Sequence, residues 1–419
     1  MMRRLKFFML IALSLVTFAS CNNDNVIVHE NEVPDDFLLP RVDIYTENGD
    51  SILSKVDYVN AKFIITDSRG QNQITAKGKI RGRGNSTWDI YPKKPYKIKF
   101  DEKQTPFGWS SNKDWVLLPD FIDMSLLRTA YMSEVSKVVG LDFTINYQHA
   151  DVYLNGEYIG IYMLTDQVEK AKNRVNVTDD GFLIEEDNAW RDEPLYFVTD
   201  TYGYHITFKY PNADKGKIVE GDANFMYISS FFNEMETALL LLDKDNNDQT
   251  YLKYIDIESF AKWYLVAEIL AIEDPNRFYS LYDRTSKLKM GPMWDAEWSL
   301  GLWANPWPMQ APESIVESEV WVRSVGSLRY IDQLLKSPFF LEKLREEWKV
   351  VKPKLADVHL SIKKLRNNLR PYQSRNFERW PEPSSFLNVL NESWEEEVDF
   401  IIVFFDRRVE WLDKYIYAL

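Results

Sequence analysis

Two hydrophobic periods divide the chain near its middle. From Pro40 the period is two: Arg41-Val-Asp-Ile-Tyr45 and Ala61-Lys-Phe-Ile-Ile65 read as half-buried strands. Lys77, Lys79, Arg81 and Arg83 recur at every second residue, which puts four cations on one strand face. Tyr96, Ile98 and Phe100 alternate with Lys97 and Lys99 in the next strand. A helical period then appears at Leu127, Tyr131, Val135 and Val138, with Asp123 as its expected cap and Gly140 as its stop. Tyr147 to Leu154 and Tyr158 to Leu164, joined by Asn155-Gly156, predict a hairpin with a type I′ turn. Short strands continue over 181–210. From about residue 222 helices dominate, as in Ile257 to Glu273, where Phe260, Tyr264, Ala267 and Ala271 share a face and Asp274-Pro275 ends the run. Phe278 to Arg284 and Leu288 to Met290 predict a second hairpin. Three or four helices follow residue 312, the last running from the capping box Ser393-Trp-Glu-Glu396 to Tyr415. The pattern predicts an α+β chain, β-rich with one helix over 41–167 and mainly helical over 168–419.

The first forty residues belong to neither part. Arg3, Arg4 and Lys6 precede an apolar run, Phe7 to Phe18, that is short for a membrane span. The run ends Phe18-Ala-Ser-Cys21 at the single cysteine of the 419 residues. This resembles the lipobox of bacterial lipoproteins. The resemblance implies a signal peptide over 1–20, lipid on the Cys21 sulfur, a tether over 21–40 and a membrane-anchored place in the cell envelope. The rest of the composition excludes more than it identifies. With 45% hydrophobic and 15% aromatic residues the chain has ample material for a core. The net charge of −14, which loss of residues 1–20 takes to −17, argues against nucleic acid as a partner. One cysteine and four scattered histidines exclude an internal disulfide and a cysteine-based zinc site.

Against that acidity, Lys77 to Lys103 holds nine Lys and Arg and three acids, a local charge of +6. A charge run is commonly a solvated face. Here Gly82 and Gly84 sit among the cations, where backbone can approach a ligand closely, and converging Arg and Lys suit a nucleoside triphosphate. Asp274 and Asp295 form a second constellation. The predicted hairpin between them returns the chain to the edge it left, so the two carboxylates can meet as a general base and a metal ligand, with Glu297 and Asn276 as further oxygen ligands. Helix capping and a turn aspartate are the plainer readings of the pair. A glycosidase carboxylate pair is another, given Trp294, Trp298, Trp303, Trp307 and Trp321 nearby, although it leaves the cationic strands without a use.

Taken in order, the parts are basic strands, a lysine strand, a helix bearing Glu134, two strands, a polar corner, a long helix, Asp274, a hairpin and Asp295. This is the order of parts in a protein kinase. On that analogy Arg81, Arg83, Lys94 and Lys97 hold phosphates, Lys97 pairs with Glu134, and Asp166-Gln167 lies at the interlobe hinge near adenine. Asp274 takes the substrate proton and Asp295 holds Mg2+.

The sequence also resembles the spore-coat protein H-like (CotH) kinases, secreted atypical protein kinases. The likeness rests on Arg81-Gly-Arg-Gly-Asn-Ser-Thr-Trp88, Pro92-Lys-Lys-Pro-Tyr-Lys-Ile-Lys99, Asp114-Trp-Val-Leu-Leu118 and Leu126-Leu-Arg128. It continues in Asn155-Gly-Glu-Tyr-Ile-Gly-Ile-Tyr162, Gly291-Pro-Met-Trp-Asp295 and Arg408-x-x-Trp-Leu412. It implies a two-lobed kinase-like fold, ATP and Mg2+ (or Mn2+) as cofactors, and phosphoryl transfer to hydroxyls of a protein substrate. The departures are Asp166 where the family often has Glu, Glu297 where it has a second Asp, and no Asn at the fifth place after Asp274. They leave open a catalytically silent surface lipoprotein, either a pseudokinase or a module binding glycan or protein.

Overall fold

Period-two alternation in the N-terminal part becomes seven strands in the computed structural model, which describes residues 38–187, 189–242, 248–302, 328–381 and 393–419. They are β1 (Arg41–Thr46), β2 (Val59–Thr66), β3 (Asn72–Gly82), β4 (Tyr96–Gln104), β5 (Asn112–Leu118), β6 (Tyr147–Leu154) and β7 (Glu157–Asp166). Their lateral order, β1-β2-β3-β4-β5-β7-β6, closes into a barrel. Every pairing is antiparallel except the closing one, where Arg41 to Ile44 run parallel to Asp151 to Leu154. Local alternation cannot announce that closure, because the paired segments lie far apart in the chain. Phe63, Ile80, Ile98, Trp115, Leu117, Val152 and Tyr162 fill the barrel, and the cations of β3 and β4 occupy the alternate, outward positions. At the hairpin between β6 and β7, Asn155 (φ 51°) and Gly156 (φ 86°) take the two left-handed positions of a type I′ turn. Cys21, the signal and tether segments, and Trp303, Trp307 and Trp321 lie outside the described residues.

Two helices interrupt the barrel strands, α1 (Ser86–Asp89) between β3 and β4, and α2 (Arg128–Val139) between β5 and β6. Gly140, left-handed at φ 80°, stops α2 as expected. Asp123 acts from farther away than a cap residue. Leu127 holds the N-cap position, and the Asp123 carboxylate accepts from the Ser125 and Arg128 amides at 2.9 and 2.8 Å.

The second part is built on a five-stranded sheet, ordered β12-β11-β8-β10-β9. Its strands are β8 (Phe182–Glu186), β9 (Tyr196–Val198), β10 (His205–Tyr210), β11 (Arg277–Leu281) and β12 (Lys289–Met290). Its helices are α3 (Ala223–Leu240), α4 (Ile257–Leu270), α5 (Arg329–Leu334), α6 (Pro338–Val351), α7 (Leu355–Leu369), α8 (Gln373–Arg379) and α9 (Trp394–Ala418). The α4 helix is apolar nearly all round and packs against α2, α6 and α9, as a central helix must. It stops at Leu270 with Ala271 left-handed (φ 48°), short of the expected Glu273, so Glu273 and Asp274 belong to a loop. Ser393 caps α9 by accepting from the Glu396 amide at 3.2 Å. The chain is thus α+β, a strand barrel followed by a largely helical part. Among the described residues, no helix is long and apolar enough to cross a membrane.

Candidate active site

The C-terminal end of α4 is fixed from outside. Arg408 of α9, buried, donates Nε to the Glu268 carbonyl at 2.7 Å and pairs with the Glu268 carboxylate, meeting part of the acceptor demand of the last turn. Past that end, the Glu273 amide donates to the Trp298 carbonyl and the Leu300 amide to the Leu270 carbonyl, both at 2.8 Å. These bonds tie the loop after α4 to the loop after β12. They bring Asp274 and Asp295 into each other's field, as the hairpin between them predicts.

Asp295 stands at φ 62°, a left-handed conformation sparsely populated outside glycine. The residue is exposed, yet desolvation by the protein packed around its carboxylate pushes its pKa up to about 6, with Arg83 opposing and the Asp274 charge adding. Glu273, half-buried beside Asp274, is pushed up to about 7 by burial and that same charge. Glu297 lies well above the carboxylate range, because it is enclosed and then repelled by Asp120, Asp295 and Asp123. Such a collection of repelling carboxylates is chemically suited to a cation.

The opposing charge comes from the barrel. Arg83 leaves the end of β3, stacks 5.5 Å from the Trp294 ring, and feels Asp295, Glu185 and Glu297. Asn276 is held by its amide nitrogen, which donates to Glu185 Oε1 at 2.7 Å, and Lys209 bonds the other oxygen of Glu185 at 2.9 Å. Arg83, Asp274, Asn276, Asp295 and Glu297 therefore come together, from one barrel loop and two loops of the second part.

Other residues expected here do different work. Lys97 does not meet Glu134. Its ammonium lies 3.4 Å from Oδ1 of Asp114, its diagonal neighbour on β5, while Glu134 accepts from Lys137 (2.8 Å) and the Tyr147 hydroxyl (2.9 Å). The reason is the placement of α2, which packs on α4 and α7 and not on the outer barrel face carrying Lys97. Arg81 and Lys94 donate to neighbouring backbone carbonyls, of Lys55 and Gly82 and of Trp88 respectively. Asp166 is buried, accepting from the Asn146 amide and side chain at 2.9 Å and pairing with Arg174 at 3.0 Å, so it ties β7 to its surroundings instead of offering a hinge contact. Gln167 beside it bonds the Val168 carbonyl at 3.2 Å. Of the tryptophans on which the alternative reading of a sugar cleft rests, the two described are packed: Trp294 is buried with Arg83 over its ring, and Trp298 packs with Tyr91, Phe121, Ile122 and Leu302 in a small core.

Sequence reading missed four contributors. Arg128, fully buried, pairs with Asp123 at 2.5 Å and Glu397 at 2.6 Å, and donates Nε to the Ser299 carbonyl at 2.8 Å, fixing the loop that carries Asp295 and Glu297. Lys93 is 1% exposed, with its pKa lowered by burial, and Asp120 is 3% exposed, with its pKa raised by burial and by Asp123. Glu185 completes the set. A lone acid after Pro119 and a lysine within a basic run carry no local signal of burial. Among the described residues, no group of three or more His, Cys, Asp or Glu side chains converges as a metal cage. That geometry is not required of Mg2+, which commonly takes one or two carboxylates and completes its shell with phosphate and water.

No curated protein matches the chain. Residues 80–412, most of its length and all of the site just described, match the profile of the CotH kinase protein, and the chain belongs to the CotH kinase family.

Proposed function

We propose that this chain is an ATP- and Mg2+-dependent phosphotransferase acting on protein hydroxyls, with the barrel and the helical part dividing the work as the two lobes of a kinase do. The observation that carries the reading is the meeting of Asp274 and Asp295 beside Arg83. Asp274, exposed in its loop, accepts the proton of the incoming hydroxyl as that oxygen bonds to the γ-phosphorus and the bond to the β-phosphate oxygen breaks. Asp295 is the principal carboxylate for the metal, with Glu297 and Asn276 at hand. Arg83 lies against the phosphates. Bound Mg2+ supplies charge neutralisation at the β- and γ-phosphate oxygens.

Transfer of label from γ-labelled ATP to protein, with Mg2+ and without, tests this reading. Mg2+–ATP binding with no transfer to any protein hydroxyl would convert it to a pseudokinase. The raised pKa of Asp295 sets a pH dependence. Below about 6 the carboxylate is protonated and its attraction for the metal is lost; above, it is ionised. Mg2+–nucleotide affinity is expected to rise about tenfold from pH 5 to pH 7 by titration calorimetry, the ratio of ionised fractions across such a pKa. A flat profile would remove Asp295 from the metal. We also propose a lipid anchor at Cys21 that holds the protein in the cell envelope. Cys21→Ser is expected to move it from the membrane to the soluble fraction, and equal retention of both forms would refute the anchor.

A further inference from the structure

The barrel has a gap in one seam, and the helical part fills it. β5 accompanies β7 only over the stretch from Leu118–Met163 to Trp115–Asp166, whereas β6 pairs with β7 along its whole length. Below Met163, the open edge of β7 needs partners from elsewhere. Asn376 of α8 accepts the Ile161 amide on Oδ1 at 3.0 Å, Trp380 Nε1 donates to the Ile159 carbonyl at 2.9 Å, and Lys93 donates to the Ile161 carbonyl at 2.5 Å. The same Asn376 oxygen accepts from Lys93 at 3.0 Å. Gly160 makes room. Its φ is +115°, and a Cβ there would lie 2.9 Å from Lys93 Cε and from Trp380 Nε1, and 3.0 Å from Asn376 Oδ1. Ion pairs Arg375–Asp151 and Arg379–Glu157 flank the junction.

What α8 grips is more than a barrel edge. Lys93 belongs to the connection from β3 to β4 that also carries Arg83, and the Arg83 amide donates to the Pro95 carbonyl at 3.2 Å, closing the connection at its base. Lys93 is 1% and Asn376 3% exposed, so this contact is made away from solvent.

We infer that Asn376 is a positioning residue for the phosphate-binding loop: its single oxygen fixes Lys93 against β7, and through the closed base of residues 83–95 it holds Arg83 opposite Asp295. The inference rests on the nucleotide reading for its functional half; the tether itself does not. Two variants of the full chain test it. Asn376→Leu keeps bulk but removes the acceptor, and Asn376→Asp keeps an acceptor oxygen. Asn376→Leu is expected to speed amide hydrogen exchange across residues 84–95 and to weaken Mg2+–ATP binding about tenfold, with the near-ultraviolet circular dichroism preserved. Asn376→Asp is expected to restore both, with affinity within about threefold of wild type. Unchanged loop exchange in Asn376→Leu, or equal losses in the two variants, would overturn the inference. A wild type that binds no Mg2+–ATP overturns the nucleotide reading instead, and the exchange measurement then decides the tether alone.

Discussion

Replacing Asp295 by Asn is expected to abolish metal-dependent nucleotide binding and phosphoryl transfer together, while Asp274→Asn leaves binding nearly intact and lowers turnover by roughly 10²–10⁴. The two residues share a field and differ in role. Asp295 stands next to Arg83 and is the better placed to hold a cation against phosphate. Asp274 opens outward from the loop after α4, where an incoming hydroxyl can reach it. Asparagine keeps the size of each side chain and removes its charge, so the fold is preserved and the comparison stays chemical. Calorimetry with Mg2+–ATP and label transfer read the two effects separately. Should both variants transfer phosphate at the wild-type rate, neither carboxylate has the role assigned here. Should they lose binding equally, the division of labour between them is wrong.

The largest effect on stability is expected at Arg128, far from any solvent. Arg128→Met keeps much of the volume but leaves Asp123 and Glu397 buried without their cation, and the Ser299 carbonyl without its donor. Breaking a buried ion pair from one side costs about 3–5 kcal/mol, because the remaining charge cannot regain water. The urea midpoint is expected to fall accordingly at unchanged slope. A loss below about 1 kcal/mol would show that the carboxylates are relieved in some other way. Arg128 joins α2 to α9 and to the loop bearing Asp295, so Mg2+–nucleotide binding is expected to weaken in this variant even at temperatures where it remains folded.

The site was partly legible in the chain because some of its chemistry is local. Asn155-Gly156 dictates its turn, the Lys97–Lys99 alternation declares a strand with a polar face, and the hairpin between Asp274 and Asp295 lets the two carboxylates meet. The rest is set by distant packing. The parallel pairing of β1 with β6 leaves no mark on either strand alone. Analogy of order pairs Lys97 with Glu134, but α2 turns toward α4 and α7, so Asp114 on the adjacent strand is the partner Lys97 meets. Arg128 and Arg408 are marked in the chain only by the motifs that hold them, and their work, meeting a backbone carbonyl of a distant loop and of the last turn of α4, is visible only once those segments are placed. Asp166 shows the opposite failure: its position after a strand suggested a ligand contact, and burial made it a structural acceptor.

The unfinished barrel seam also bears on how the protein is made. All seven barrel strands lie within residues 41–166, so the sheet can assemble as soon as that segment has emerged. The groups that complete its open edge, Asn376 and Trp380, are synthesised more than two hundred residues later, and Glu397, the partner of Arg128, later still. Contacts of such long sequence separation form slowly and late. A nascent or truncated chain would therefore own a recognisable barrel and an unsecured connection between β3 and β4. On the proposed reading, competence for phosphoryl transfer would arrive only with the last helices, once the segments that anchor the Arg83 connection have been made.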